Sequence, residues 1–170
     1  MTIGVKAVGK PERQREELGR IAARARDRPW LDAVLLVGSL AADTADALSD
    51  VDLLVVVRDG RFDEAWAERA VLRSEDALFA WDQRDDPNRE IGAHRWLSGD
   101  VVLVEALFGT PSSGMRLAPP WSVLAGAPDA AARLIPRPPI ERTEMGHSAA
   151  HPVEAAYDEF KMRLRSTAVD

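Results

Sequence analysis

The chain contains no cysteine, which excludes disulfides, thiolate zinc sites and a cysteine nucleophile together. Only Lys6, Lys10 and Lys161 are lysines, and every other cationic side chain is an arginine. Acidic residues outnumber basic ones, 28 against 22, for a formal net charge of −6. A broadly basic groove for nucleic acid is therefore not expected. Long hydrophobic runs are missing too. Runs such as residues 33–37 and 53–57 are strand-sized and far too short to span a bilayer. The first twenty residues hold no apolar stretch of signal-peptide length, so the expectation is a cytoplasmic protein with no membrane partner. What is present suffices for a core: 46% of the 170 residues are apolar, enough for one domain.

Apolar spacing organises the first two-thirds of the chain. Leu18, Ile21, Ala22 and Ala25 follow Pro11 at helical intervals and predict an amphipathic helix running to Arg28. Residues 33–37 read as a buried strand ending at Gly38-Ser39, where Ser39 is placed to cap a short alanine-rich helix. Val51–Val57 reads as a second buried strand. Phe62, Ala65, Trp66 and Ala70 predict a second amphipathic helix, and residues 77–81 a third strand. Residues 93–97 and 101–108 form a hairpin around Ser98-Gly99-Asp100. Beyond Gly109 proline and small residues dominate, with short helices expected at 121–124 and 129–134. Pro152 suits the first turn of a final helix to Arg165. The fold class is α/β (α+β): a mixed β-sheet with helices packed on it, followed by a short helical C-terminal tail. Residues 1–135 form the main domain, and 136–170 a proline-rich linker and helix.

The most specific feature lies between the first two strands. Gly38-Ser39 closes one, and Ser49-Asp50-Val51-Asp52-Leu53 opens the next. Residues two apart on a strand share a face, with Cα atoms roughly 6.6 Å apart. Asp50 and Asp52 thus project together while Val51 points into the core. Mg²⁺ prefers hard oxygen ligands at about 2.0–2.1 Å. Two such carboxylates can hold one ion, or a pair about 3.5–4 Å apart. Gly38 permits close backbone approach to a phosphate, and Ser39 offers a hydroxyl.

This pattern resembles the nucleotidyltransferase superfamily with the DNA polymerase β-type palm, across residues 34–57. The resemblance implies a nucleotidyltransferase fold, with Gly38 and Ser39 on the nucleotide phosphates and Asp50 and Asp52 on Mg²⁺. It implies transfer of a nucleoside monophosphate from an NTP, with ATP favoured, to an acceptor hydroxyl. It also implies a third carboxylate on a later strand. Glu105 is the candidate, as metal ligand or general base, with Asp100 behind it. The residues themselves leave a second option for Glu105, an edge carboxylate paired with Arg95 across the hairpin. Small relatives carry an Arg-Gly after the Gly-Ser, whereas residues 40–48 here hold no cation. Lys161, Arg163 or Arg165 of the final helix could supply it.

The acceptor stays open at this point. An acidic surface favours a small cationic molecule bearing a hydroxyl, as in aminoglycoside- or lincosamide-type enzymes. A protein partner, as for minimal toxin–antitoxin-type nucleotidyltransferases, is the alternative, and a catalytically inactive nucleotide-binding module the third reading. Because little helical domain follows, a homodimer partner is expected to complete the cleft. His147 and His151 have helical zinc spacing but no third ligand, and read as a solvated loop. Trp66, Trp81, Trp96 and Trp121 read as core or interface residues.

Overall fold

A computed structural model describes residues 9–138 and 152–167. Helix α1 (Glu12–Ala25) leads into β1 (Leu31–Val37), a one-turn helix α2 (Gly38–Ala41) and β2 (Val51–Val57). Helix α3 (Phe62–Glu68) continues as a 3₁₀ turn, Arg69–Leu72, before β3 (Phe79–Gln83), β4 (Ile91–Leu97) and β5 (Leu103–Gly109). There follow β6 (Arg116–Leu117), β7 (Ser122–Gly126), a 3₁₀ turn at Ala130–Arg133, β8 (Ile135–Pro136) and α4 (Pro152–Thr167). The six-stranded sheet runs β3-β4-β5-β2-β1-β7 and is mixed. Its β2–β5 pair is parallel, and its other neighbours are antiparallel. Among the described residues no helix is long and apolar enough to cross a membrane.

Alternation along the strands divides the core in two. Val34, Val51, Leu53, Val55, Val104, Ala106 and Phe108 pack beneath Leu18 and Ile21 of α1 and Phe62 and Ala65 of α3. Ala33, Leu35, Leu54 and Val56 face the other way, onto Met115, Leu117, Ala130 and Leu134. A register shift between Leu31 and Ala33 puts Leu31 on the first face and Ala33 on the second, which an unbroken period of two forbids. On β4, His94 is buried with Nδ1 2.7 Å from Asp82, and burial pulls its pKa below the ordinary value. Arg69 grips the same Asp82 through both oxygens and holds that carboxyl below the usual range.

Four expectations are corrected. Residues 121–124 are not helical: Ser122–Gly126 forms an edge strand that pairs with β1. A short apolar run lacks a decisive period, and the open hydrogen-bonding edge of β1 supplies the partner that settles it. The third strand lies two residues later than the expected 77–81, because it follows the pairing of Phe79 with Leu97 and Gln83 with Ala93. Ser39 does not cap α2. The helix begins at Gly38, and Val37 stands at the cap position without a side-chain hydrogen bond. The helix expected at 129–134 is a single 3₁₀ turn. The final helix forms where expected; the hairpin forms too, with its second strand beginning at Leu103 rather than at 101, and His147 and His151 lie outside the described residues.

Candidate active site

The loop that delivers Asp50 is tied down from two directions. Asp46 accepts hydrogen bonds from the Leu48 amide and the Ser49 hydroxyl, a local turn that sets the entry into β2. Gln14 of α1, itself buried, donates to the carbonyls of Ala47 and Ser49 at 3.0 and 2.8 Å. Glu17, fully buried on the same helix, accepts from the Trp96 indole and from Arg20, and Arg20 also reaches Asp100. Asp100 therefore serves α1 docking.

Pairing of Val37 with Asp52 across β1 and β2 brings the Gly-Ser turn against the aspartate. Gly38 has φ of +69°, and a Cβ there would collide with Asp52 Oδ2 and stand 3.1 Å from its Cγ. Only glycine allows this backbone so close to the carboxylate. Val51 is fully buried in the first core, so the second strand faces its residues as the alternation requires.

Glu105 stands opposite Asp52 in the parallel β2–β5 register, which puts both side chains on one face of the sheet. It is simultaneously opposite Arg95 of β4, whose Nη2 donates to Glu105 Oε1 at 3.0 Å. The buried Arg95 also donates to Gln83 at 2.9 Å. Glu105 is thus paired with Arg95 across the hairpin, as the edge-carboxylate reading expects, and stands in register with Asp52.

The remaining cation comes from far along the chain. Lys161 of α4 donates to both oxygens of Asp50, at 2.7 and 2.8 Å, and lies 2.9 Å from Asp158. Its ammonium also sits 4.7 Å above the Tyr157 ring. Burial opposes the Lys161 charge, but Asp50 and Asp158 outweigh it and raise the pKa above the ordinary lysine value. Tyr157 donates to the Val101 carbonyl at 3.0 Å, fastening α4 to the β4–β5 turn. Arg163 is exposed and pairs with Glu159 instead. The involvement of Tyr157 and Asp158 was missed in the sequence, although residues 154, 157, 158 and 161 share a helical face.

Asp52 records the balance of these charges. Burial is the largest effect pushing its carboxyl up to about 7, followed by Asp50 and Glu105, with Lys161 opposing. Removal from water accounts for most of this rise, and the neighbouring carboxylates add to it.

A family model described as a nucleotidyltransferase domain matches residues 19–99. Those residues, just under half of the chain, are similar to a nucleotidyltransferase domain. The match spans Gly38, Ser39, Asp50 and Asp52 and ends before Glu105. It supports nucleotidyl transfer as the general chemistry of this protein. No curated protein matches the sequence.

The donor set suits a hard divalent ion, since Asp50 and Asp52 present carboxylate oxygens beside a glycine turn. Yet among the described residues no three His, Asp or Glu side chains are gathered closely enough to hold a metal as they stand. Lys161 engages one member of the acidic trio and Arg95 another. Trp96 is fully buried, Trp66 packs edge-on against Phe108 and Trp81 is buried on β3, while Trp121 is exposed.

Proposed function

We propose that the protein transfers a nucleoside monophosphate from an NTP, with ATP the first to test, to a hydroxyl of a small-molecule acceptor. The observation that carries this reading is the shared face of Asp52 and Glu105 directly beside the Gly38 turn, with Asp50 two residues away. Asp50 and Asp52 would hold Mg²⁺, one ion or two, and Glu105 would complete the acidic face as a further oxygen ligand or as base for the acceptor proton. Bound there, Mg²⁺ would neutralise phosphate charge and align the acceptor oxygen, the α-phosphorus and the leaving pyrophosphate. Gly38 allows the polyphosphate to approach the backbone, and Ser39 offers its hydroxyl to it. Arg95, on the neighbouring strand away from Asp52, holds one oxygen of Glu105. The net charge of −6 supports a cationic acceptor, which long-range attraction would draw to the protein.

Incubation with labelled NTPs and Mg²⁺, with pooled aminoglycosides and lincosamides or with cell extract, tests this. Label is expected on a small molecule, and Asp50→Ala or Asp52→Ala should reduce it by at least about 100-fold. Label on a protein band would favour the partner-modifying alternative. Nucleotide binding without transfer would favour the inactive module, and no Mg²⁺-dependent nucleotide binding by calorimetry would sink the proposal.

A second copy of the chain is proposed to complete the acceptor cleft. Support comes from α4, which turns Lys161 inward and leaves Phe160 and Met162 49% and 64% exposed beside the site. Gel filtration with light scattering is expected to show a dimer. A strict monomer at high concentration would argue against it.

A further inference from the structure

Helix α4 is docked in an unusual way for a terminal helix. Among its described residues Glu154 and Lys161 are the buried ones, while Phe160, Met162 and Leu164 are exposed. Among the described residues, neither hydrophobic cluster of the core draws one from α4. What joins this helix to the site is polar: Lys161 on Asp50 and Tyr157 on the Val101 carbonyl. Apolar burial is indifferent to the charge of a ligand, whereas an ion pair is exchanged directly for another ion.

We propose that α4 is a cation-exchange latch, in which Lys161 and a divalent metal ion are mutually exclusive occupants of Asp50. The proposal rests on the metal-dependent reading above. Lys161 covers both oxygens of the Asp50 carboxylate, and a divalent ion at coordination distance from that carboxylate would face the ammonium at close range. Repulsion between the two cations sets them in competition for it. Asp158, one turn earlier on α4, already contacts the same ammonium at 2.9 Å and provides a station that travels with the helix. When metal takes Asp50, the ammonium remains on Asp158 and the tie between α4 and β2 is lost. Metal-free protein is thereby kept latched, with Lys161 as an internal counter-ion of Asp50.

The scarcity of lysine makes this measurable in the unaltered protein. An amine-acylating reagent followed by mass spectrometry reports on Lys161 with exposed Lys10 as internal reference. Without metal, Lys161 is expected to react at least tenfold more slowly than Lys10, and saturating Mn²⁺ should raise its rate at least fivefold while leaving Lys10 unchanged. Mn²⁺ titrations followed by electron paramagnetic resonance should show at least tenfold tighter binding by Lys161→Met than by the wild type. Saturation with Mn²⁺ while Lys161 stays protected, or a Lys161→Met affinity equal to or weaker than wild type, overturns the latch and leaves nucleotidyl transfer standing. Failure of both proteins to bind Mn²⁺ overturns the latch and the metal assignment together.

Discussion

Asp52→Asn is expected to stabilise the metal-free protein at pH 8 and to abolish nucleotidyl transfer. The stability effect follows from proton linkage. The Asp52 carboxyl has an ordinary value of 3.8 and is pushed up to about 7 in the folded chain, chiefly by burial and then by Asp50 and Glu105. Below about pH 4 both folded and unfolded states are protonated, and the folded state bears no cost at this position. Between roughly pH 4 and 7 the unfolded chain releases the proton while the folded chain keeps it, so stability falls as pH rises. Above about pH 7 the loss is complete, on the order of 4 kcal/mol at 1.36 kcal/mol per unit. Asparagine is neutral throughout and escapes this loss. Urea unfolding in EDTA at pH 4.5, 6 and 8 should therefore show the two proteins diverging with pH, the variant being the more stable at pH 8. Parallel curves for the two would refute the charge account. The same substitution removes an oxygen that Mg²⁺ requires as an anion, so transfer should fall by at least about 100-fold in the labelled-nucleotide assay. Gain of stability with loss of activity separates a functional carboxylate from a structural one.

Gly38→Ala is expected to cost far more in activity than in stability. The backbone at Gly38 is left-handed, and a non-glycine residue there costs about 1–2 kcal/mol. The added methyl would collide with Asp52 Oδ2, the mobile end of a side chain rather than backbone. The sheet can tolerate the change by rotating the carboxylate away. Catalysis cannot, because a displacement of about 1 Å can cost on the order of 100-fold in rate. Thermal melts alongside the transfer assay should show a modest fall in Tm and a loss of activity of at least that order. Ser39→Ala, whose side chain makes no capping bond, should melt close to wild type. A Gly38→Ala protein with near-normal transfer would show that Asp52 need not occupy its present position.

Much of the site was legible because it is local. Gly38 and Asp52 are fourteen positions apart, both strands around them carry strong apolar patterns, and Asp50 lies just ahead of the strand that holds Asp52. The edge strand at Ser122–Gly126 was not legible, since five residues with no clear period take their conformation from the neighbour they pair with. Glu105 lies between these cases. Its placement in an apolar strand marked it, but facing Asp52 required a parallel pairing of β2 with β5 across two intervening strands.

The sequence by itself determined the alternation of helices and strands, the Gly38-Ser39 turn and the paired aspartates, because each depends on spacing within a few turns or strand residues. Tertiary structure alone decided that Glu105 faces Asp52 while bound to Arg95, and that Lys161 reaches Asp50 across 111 positions of sequence. The reason is physical. Register and helix docking are settled by hydrogen-bonding edges and buried charges that meet only when the chain has folded, and a lysine on an amphipathic helix carries no local mark of the carboxylate it will neutralise.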